Sequence, residues 1–434
     1  MRPTRPTPAS TSSGSGQGRL LLPFASLQHR DYRLFWMGLA ASVVGYQMSQ
    51  LGMAWLAYEL TGRPRTLALL GLATAGPAII LNLVGGALAD RLERRRLIMA
   101  TQGTMFVLMG VLATLTLTGR LAVWHLLTVA AAASAVFAFD TPARQALYPR
   151  LIPRPHLTSA VALNSSVWQG SRIVGPALGG VLIARADAGW LFSIAALGAV
   201  LMGLAVFLIR PLPREERLLR SPFREVMEGV RFVKGSSLFA FLIGIAFCNS
   251  LFGMSYVFLL PVFARDVLRV GAEGLGYLSA VGGVGSLLAT LGAGALGDIG
   301  ARGTLLIGGA LGFGLLLVGF ALSPWFLLSL LLLFLGGVAG SVYMVLTLTT
   351  LQERVPDRLR GRVMGIFSIT WSMMPLGAVQ SGLIADAMGA PFAVGLGGVL
   401  TVAFALGLVL ASPSLRRLRP LGVELPSLAE PIRR

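Results

Sequence analysis

The chain is built from apolar runs too long for a water-soluble fold to bury. Twelve stretches are mostly apolar over about 20 residues, the length that crosses a hydrocarbon core about 30 Å thick. They are 34–60, 66–89, 97–118, 121–147, 159–184, 190–209, 238–263, 275–296, 305–322, 325–349, 363–385 and 391–411. In lipid each segment must satisfy its own backbone N–H and C=O groups, so runs of this length form helices. An all-α membrane protein with twelve transmembrane helices is therefore expected. Of the 434 residues, 55% are hydrophobic and 12% charged, too few polar groups to cover a soluble chain of this size. The 54 glycines suit close packing between membrane helices.

One short basic hairpin appears twice. Gly86, Leu88, Asp90, Arg94 and Leu97 lie between the second and third runs. The same residue types return 208 positions later as Gly294, Leu296, Asp298, Arg302 and Leu305, between the eighth and ninth. Asp90 alone would also suit a helix cap, but a second copy at the equivalent loop speaks for duplication. Two pseudo-symmetric six-helix halves, 32–210 and 238–411, are the simplest account, and such repeats are typical of secondary transporters.

Basic residues set the expected orientation. The tails and every second loop carry 29 of the 36 basic residues, the opposite loops carry 6, and Arg172 falls inside a run. Both ends and the Asp90 hairpin are thus expected in the cytoplasm. Residues 1–31 and 412–434 read as cytoplasmic tails, the first disordered and rich in Pro, Ser and Thr. The first apolar run is too long for a cleaved signal peptide. In the linker 211–237, Pro222 opens a helix in which Phe223, Val226, Met227, Val230 and Val233 recur at helical spacing. That pattern predicts an amphipathic helix on the membrane surface; a solvated linker is the plainer alternative.

Several functions are excluded. Cys248 is the one cysteine, so there is neither an intrachain disulfide nor a cysteine metal site. His29, His125 and His156 form no ligand motif, and no metal or cofactor is expected. The net charge of +18 sits between apolar runs and not on a soluble face, so topology explains it better than nucleic acid does. No Gly-x-x-x-x-Gly-Lys-Ser/Thr loop or clustered catalytic set occurs, which argues against an ATPase or an enzyme.

Twelve runs in two halves with a duplicated Gly-x-Leu-x-Asp hairpin resemble the major facilitator superfamily. The first copy matches that family's loop motif at Gly86, Leu88, Asp90, Arg91, Arg94 and Arg95; the second has Ile299 where the first has Arg91. A narrower resemblance is to its multidrug, macrolide and siderophore exporter branch. It is carried by His29–Trp36, by Pro142-Ala143-Arg144-Gln145-Ala146, and by the stretch from Arg172 through Gly175, Pro176 and Gly179 to Gly180. Gly175-Pro176-x-x-Gly179-Gly180 is also similar to the tail of the helix 5 antiporter signature, with Ser171 and Ala162 where that signature has glycines.

The resemblance implies that Asp90, Arg94 and Asp140 latch the halves in an outward-open state. Asp140 lies 19 residues past residue 121, about 28 Å along a helix, and so is expected near the cytoplasmic edge at the depth of Asp90. Pairing of Asp140 with Arg144 one turn away is the alternative. Arg172 has two readings: a membrane-buried charge that meets an anionic substrate or a proton-exchanging carboxylate, or a side chain that snorkels to the surface if its helix starts near Asn164. If the family plan holds, the substrate path is lined by helices 1, 4, 7 and 10. Helix 1 places Ser42, Tyr46, Ser49, Gln50 and Met53 on one face, helix 7 places Asn249, Gly253 and Tyr256 together, and helix 11 places Ser368, Trp371 and Ser372 together. Interhelical packing through small polar residues is the plainer account of each. Taken together, these features predict a monomeric secondary transporter of the bacterial inner membrane. It would export an amphiphilic small molecule (drug, macrolide or siderophore) against protons. An importer of a small solute, or a non-transporting membrane protein, remains the alternative.

Overall fold

The computed structural model describes residues 22–89, 93–210, 231–233, 235–296 and 302–411, and the described residues fold into helices joined by short turns. Asp90, Arg91, Asp298, residues 211–230 of the linker and both outer tails lie outside the described residues. The first six helices are α1 (Arg30–Glu59), α2 (Pro64–Ala89), α3 (Arg94–Leu117), α4 (Val123–Leu147), α5 (Leu157–Arg185) and α6 (Gly189–Leu208). The second six begin with α7, a broken segment over 237–267, followed by α8 (Gly271–Leu296), α9 (Arg302–Leu322) and α10 (Phe326–Arg354). The last two are α11, over 357–388, and α12 (Ala390–Ala411). The fold is an all-α membrane bundle of twelve helices, with ends within a few residues of the apolar runs. Ten helical stretches among the described residues are long and apolar enough to cross a bilayer. The other two, α1 and α5, have 30 and 29 residues and are more polar, carrying Ser42, Tyr46 and Gln50 in one and Asn164, Gln169 and Arg172 in the other.

With an even number of crossings, the start of α1 and the end of α12 share one face, here the terminal face. On the opposite face the even-numbered helices begin, and Trp124, Trp190 and Trp325 stand exposed at the starts of α4, α6 and α10. Tryptophan favours that depth because its ring is apolar and its N–H is polar. The turns there are tight. After α3, Gly119 has a φ of 67°, its N–H donates to Thr116 O at 3.0 Å, and the Arg120 N–H donates to Leu115 O at 2.9 Å. This is a Schellman closure, which needs a left-handed residue where glycine carries no Cβ penalty.

The halves repeat one another in their packing. In the first, α1 packs on α6 and α5, α2 on α4, and α3 on α4 and α6. In the second, α7 packs on α12 and α11, α8 on α10, and α9 on α10 and α12. The two seams between halves, α5 on α8 and α11 on α2, also exchange under this correspondence. A pseudo-twofold axis therefore relates the halves.

Glycine cuts both seams. A Cβ on Gly180 would stand 2.6 Å from Gly276 Cα, and one on Gly276 would meet the Pro176 carbonyl at 2.7 Å. In the other seam a Cβ on Gly71 would meet the Pro375 carbonyl at 2.7 Å, and one on Gly382 would meet the Ala68 Cβ at 2.8 Å. Lipid offers no hydrophobic drive between helices, so such close backbone approach supplies the attraction.

The apolar core is asymmetric. Toward the opposite face a single cluster runs through both halves, from Leu56, Leu67 and Leu126 to Leu259, Phe263 and Phe320. Toward the terminal face there are two separate clusters. One, with Tyr32, Phe35, Ile98 and Val206, belongs to the first half; the other, with Phe241, Leu306, Leu351 and Val363, belongs to the second. Among the described residues, the apolar core is thus joined across the halves on one face and parted on the other. Leucine at Gly276 should lower stability by about 1–3 kcal/mol through overpacking. Gly103→Leu, at a position with nothing within 4 Å, should leave it unchanged. Thermal unfolding of the solubilised protein measures both.

Candidate functional site

In the first half, α1, α4 and α5 present a half-buried aromatic wall. Tyr46 of α1 stacks on Phe137 of α4 with ring centroids 4.9 Å apart, and Phe137 meets the edge of Trp168 of α5 at 6.2 Å. Gln50 Nε2 donates to the Tyr46 hydroxyl at 2.9 Å, so two side chains one turn apart hold each other's orientation. All four are half-buried. The expected α1 face is narrower than its spacing suggested: Ser49 and Met53 are buried, and Ser49 Oγ bonds back to the Tyr46 carbonyl at 2.8 Å.

Asp140 lies deeper than expected. Its Oδ1 accepts from Thr101 Oγ1 at 2.7 Å and from Gln102 Nε2 at 2.9 Å. Those residues follow Arg94 by seven and eight positions, about 11 Å along α3. Helix α4 extends past Asp140 through Leu147, and this sets the carboxylate two turns inside the bundle and not at the hairpin's depth. Of its two expected partners, Arg144 is the one paired among the described residues, with Nε 2.5 Å from Oδ2. The Nε–H is not aligned for a hydrogen bond, so the contact is a close charge pair. Arg144 Nη2 also donates to Ser42 Oγ at 3.0 Å, and Ser42 Oγ donates to Gln102 Oε1 at 3.4 Å. One network therefore joins α1, α3 and α4.

Arg172 lies 15 residues past the start of α5, about 22 Å along the helix. The helix begins at Leu157 and not near Asn164, so the guanidinium sits too deep to snorkel. It is surrounded by protein yet keeps partial solvent access, as a cavity-lining group does. Among the described residues it has no hydrogen-bonded or ion-paired partner. Its electrostatic neighbour is Tyr256 of α7, on the other half.

The second wall is irregular. Segment α7 comprises helix Ser237–Cys248, a π-turn Asn249–Gly253, helix Tyr256–Val262 and a π-turn Phe263–Val267. Such turns often mark functional sites. Asn249 is buried, and its Oδ1 would lie 2.5 Å from a Cβ on Gly253, so that position needs glycine. Facing this turn, α11 breaks at Met373, two residues before Pro375, which has no N–H to continue the ladder. Trp371 lies half-buried in the last turn before the break, and Ser368 is exposed. A Cβ on Gly377 would meet the Leu251 carbonyl at 2.3 Å, so the two irregular stretches touch.

The helix 5 motif is a two-sided seam. Cβ atoms on Gly175 and Gly179 would meet Gln47 and Leu51 of α1 at 2.6 and 2.9 Å, while Pro176 and Gly180 approach Gly276 of α8. Gly86 and Gly294 lie near the ends of α2 and α8. Arg94 Nη1 donates to the Ala146 carbonyl at 3.3 Å, and Arg302 Nη1 pairs with Glu353 Oε2 at 2.8 Å. Each ties the third helix of its half to the end of the fourth. Arg95 Nε and Nη2 donate to the Val206 and Phe207 carbonyls at 3.0 and 2.5 Å, a cation at the C-terminus of α6.

Sequence reasoning missed the clamp on the opposite face. The Tyr58 hydroxyl donates to Asp266 Oδ2, and the two residues are 208 positions apart, the period of the duplication. Arg265 lies over the Tyr58 ring at 5.7 Å and donates to the Glu59 carbonyl at 3.4 Å. The Arg65 N–H donates to Asp386 Oδ1 at 3.4 Å. The available signal was the period itself, since equivalent positions at the ends of α1 and α7 meet at the axis.

The sequence pattern of the transmembrane secretion effector family matches residues 21–421. The chain belongs to this family, within the major facilitator superfamily. Similar relatives of this transporter include enterobactin exporter EntS of Shigella boydii serotype 18, 28% identical over 333 residues and 76% of each chain. The EntS of Shigella boydii serotype 4 is 27% identical over 381 residues, 86% of each chain. Two solved structures share the fold. A bacterial homologue of the lysosomal transporter Spinster has TM-score 0.66 at 15% identity, covering 93% of this chain and 97% of its own. The nucleoside transporter NupG has TM-score 0.70 at 12% identity, covering 88% and 98%.

Removing one member of a buried ion pair strands the other. Asp140→Asn and Arg144→Met should each cost the transporter about 3 kcal/mol or more, and the double change Asp140→Leu/Arg144→Met should recover part of that loss. A double-mutant cycle in thermal unfolding reads the coupling; additive losses would mean that the pair does not interact.

Proposed function

We propose that the protein exports an amphiphilic small molecule by alternating access. It would work as a monomer in a bacterial inner membrane, with the terminal face cytoplasmic and proton entry as the driving force. The observation that carries this reading is the core that joins the halves on one face and parts them on the other, around an aromatic and polar space. Cores parted on the terminal face would admit cargo from the side that holds 29 of the basic residues. Release on the other side requires the clamp of Tyr58, Asp266 and Arg265 to open and the Asp90 and Asp298 hairpins to draw together. The latch proposed for Asp90 and Arg94 belongs to that second state, and glycine-lined seams suit a rocking motion between the two. The enterobactin exporters among its relatives support the outward direction and suggest the first cargo to test.

Everted membrane vesicles, acid inside, should accumulate enterobactin, and a protonophore should abolish the uptake. Uptake by right-side-out vesicles instead would identify an importer, and uptake indifferent to the gradient would remove proton coupling. Asp90→Asn should slow transport severalfold at unchanged membrane level. Tyr58→Phe removes the donor to Asp266, so a cysteine at Gln50 should react severalfold faster with an impermeant maleimide added from the periplasmic side. An unchanged labelling rate would show that Tyr58 does not hold the gate.

A further inference from the structure

The geometry points to an organic-anion site shared by the two halves. The acid group of an aromatic cargo would sit between the Arg172 guanidinium of α5 and the Tyr256 hydroxyl of α7, with its ring against Trp168. This rests on the cavity being the cargo site and names the class of cargo.

Three observations carry it. The first is the charge inside the bundle. Asp140 and Arg144 pair at 2.5 Å and cancel, whereas Arg172, midway along α5, has no countercharge among the described residues. An uncompensated cation at that depth is costly. An anionic ligand relieves the cost and a cationic one adds to it, so the sign of the cavity selects the sign of the cargo.

The second is that Arg172 and Tyr256, one on each half, both lack a hydrogen-bond partner among the described residues. Most hydroxyls in the bundle are spent on the backbone four residues earlier, as Thr74, Thr104, Thr114 and Thr128 are. The Tyr256 hydroxyl makes no hydrogen bond among the described residues, and its ring meets Phe320 edge-on at 6.2 Å. Arg172 and Tyr256 can both donate hydrogen bonds, and both lie beside one turn of α8: a Cβ on Gly282 would stand 3.6 Å from the Tyr256 hydroxyl and one on Gly283 would stand 3.4 Å from the Arg172 carbonyl. An acid oxygen accepts from both at once, and charge-assisted bonds of this kind are the strong ones.

The third is the spacing on α5. Trp168 and Arg172 are four residues apart and so neighbours on one helix face. Trp168 also extends the aromatic wall of Tyr46 and Phe137. A flat ring bearing an acid group fits that order, ring on the wall and acid on the arginine. Because Arg172 and Tyr256 belong to different halves, the bound anion touches both, and its binding favours states in which they are close.

The test uses two probes with one ring system. 8-Anilinonaphthalene-1-sulfonate carries an acid group, and N-phenyl-1-naphthylamine lacks it. Equilibrium binding to the full-length protein in nanodiscs is measured above the background of empty discs. Arg172→Met should weaken the sulfonate about tenfold, as loss of a charged hydrogen bond does, and leave the amine unchanged. Arg172→Lys should retain most of the affinity, and Tyr256→Phe should weaken the sulfonate about threefold. Equal weakening of both probes by Arg172→Met, no weakening, or no sulfonate binding by the wild type would each overturn the site. The readout is binding and not flux. Sulfonate discrimination without enterobactin uptake in vesicles would keep the anion site and remove the export reading.

Discussion

The structure depends on how cheaply two six-helix bodies can touch. Within a bilayer apolar side chains gain nothing by leaving lipid for protein, so contact must come from close backbone packing. Glycine at Gly180, Gly276, Gly71 and Gly382 permits that approach along both seams. Such a seam has little interlocking side-chain volume to disengage. Polar ties then decide which face stays shut. Among the described residues such ties lie on the opposite face, where Tyr58 bonds Asp266 and Arg65 bonds Asp386. The joined core beneath them and the parted cores beyond are two consequences of one arrangement.

Against that apolar background the polar groups are concentrated. Helices α1 and α5 are the two long helices outside the set apolar enough to be recognised as spans, and both border the central space. Polarity there has a cost in lipid, which local partners offset. Gln50 holds Tyr46, Ser42 joins Arg144, and Asp140 has three partners on two helices. The wall is therefore pre-organised before any cargo arrives, and ordering it costs little on binding. Irregular backbone appears in the second half for a related reason. Non-helical geometry is tolerated at membrane depth where protein or a cavity covers it. The π-turn at Asn249–Gly253 and the break at Met373 cover one another.

Much of the fold was legible in sequence because its two strongest signals are long-range in chain but simple in form. Apolar runs of spanning length gave the helices, and the match of Gly86, Asp90 and Arg94 to Gly294, Asp298 and Arg302 gave the twofold. The packing of each half repeats that correspondence helix by helix. The site was less legible. For Asp140 the resemblance implied Arg94 and helical spacing offered Arg144. The depth of the carboxylate is decided by Thr101 and Gln102, whose roles appear only once α3 lies beside α4. The π-turns leave no residue signature. Tyr58 and Asp266 carry no local motif, and a residue's partner across a pseudo-twofold is invisible until the axis is placed. The glycine motif of α5 was visible as a motif, but its division between α1 and α8 follows from packing on two sides at once.

The Asp140 network bears on how the hairpin side of the first half communicates with the cavity. Ser42 receives Arg144, and Tyr46 lies one turn further along α1. Phe137, which stacks on Tyr46, lies three residues before Asp140 on α4. The charge pair and the aromatic wall thus share the same two helices at adjacent turns. Toward the terminal face, Arg94 holds the last turn of α4 through the Ala146 carbonyl, two residues past Arg144. Phe137, Asp140 and Arg144 thus lie on the helix whose last turn Arg94 holds. The route from hairpin to cavity is a single helix face, and its midpoint is an ion pair that neither member can leave without stranding a charge.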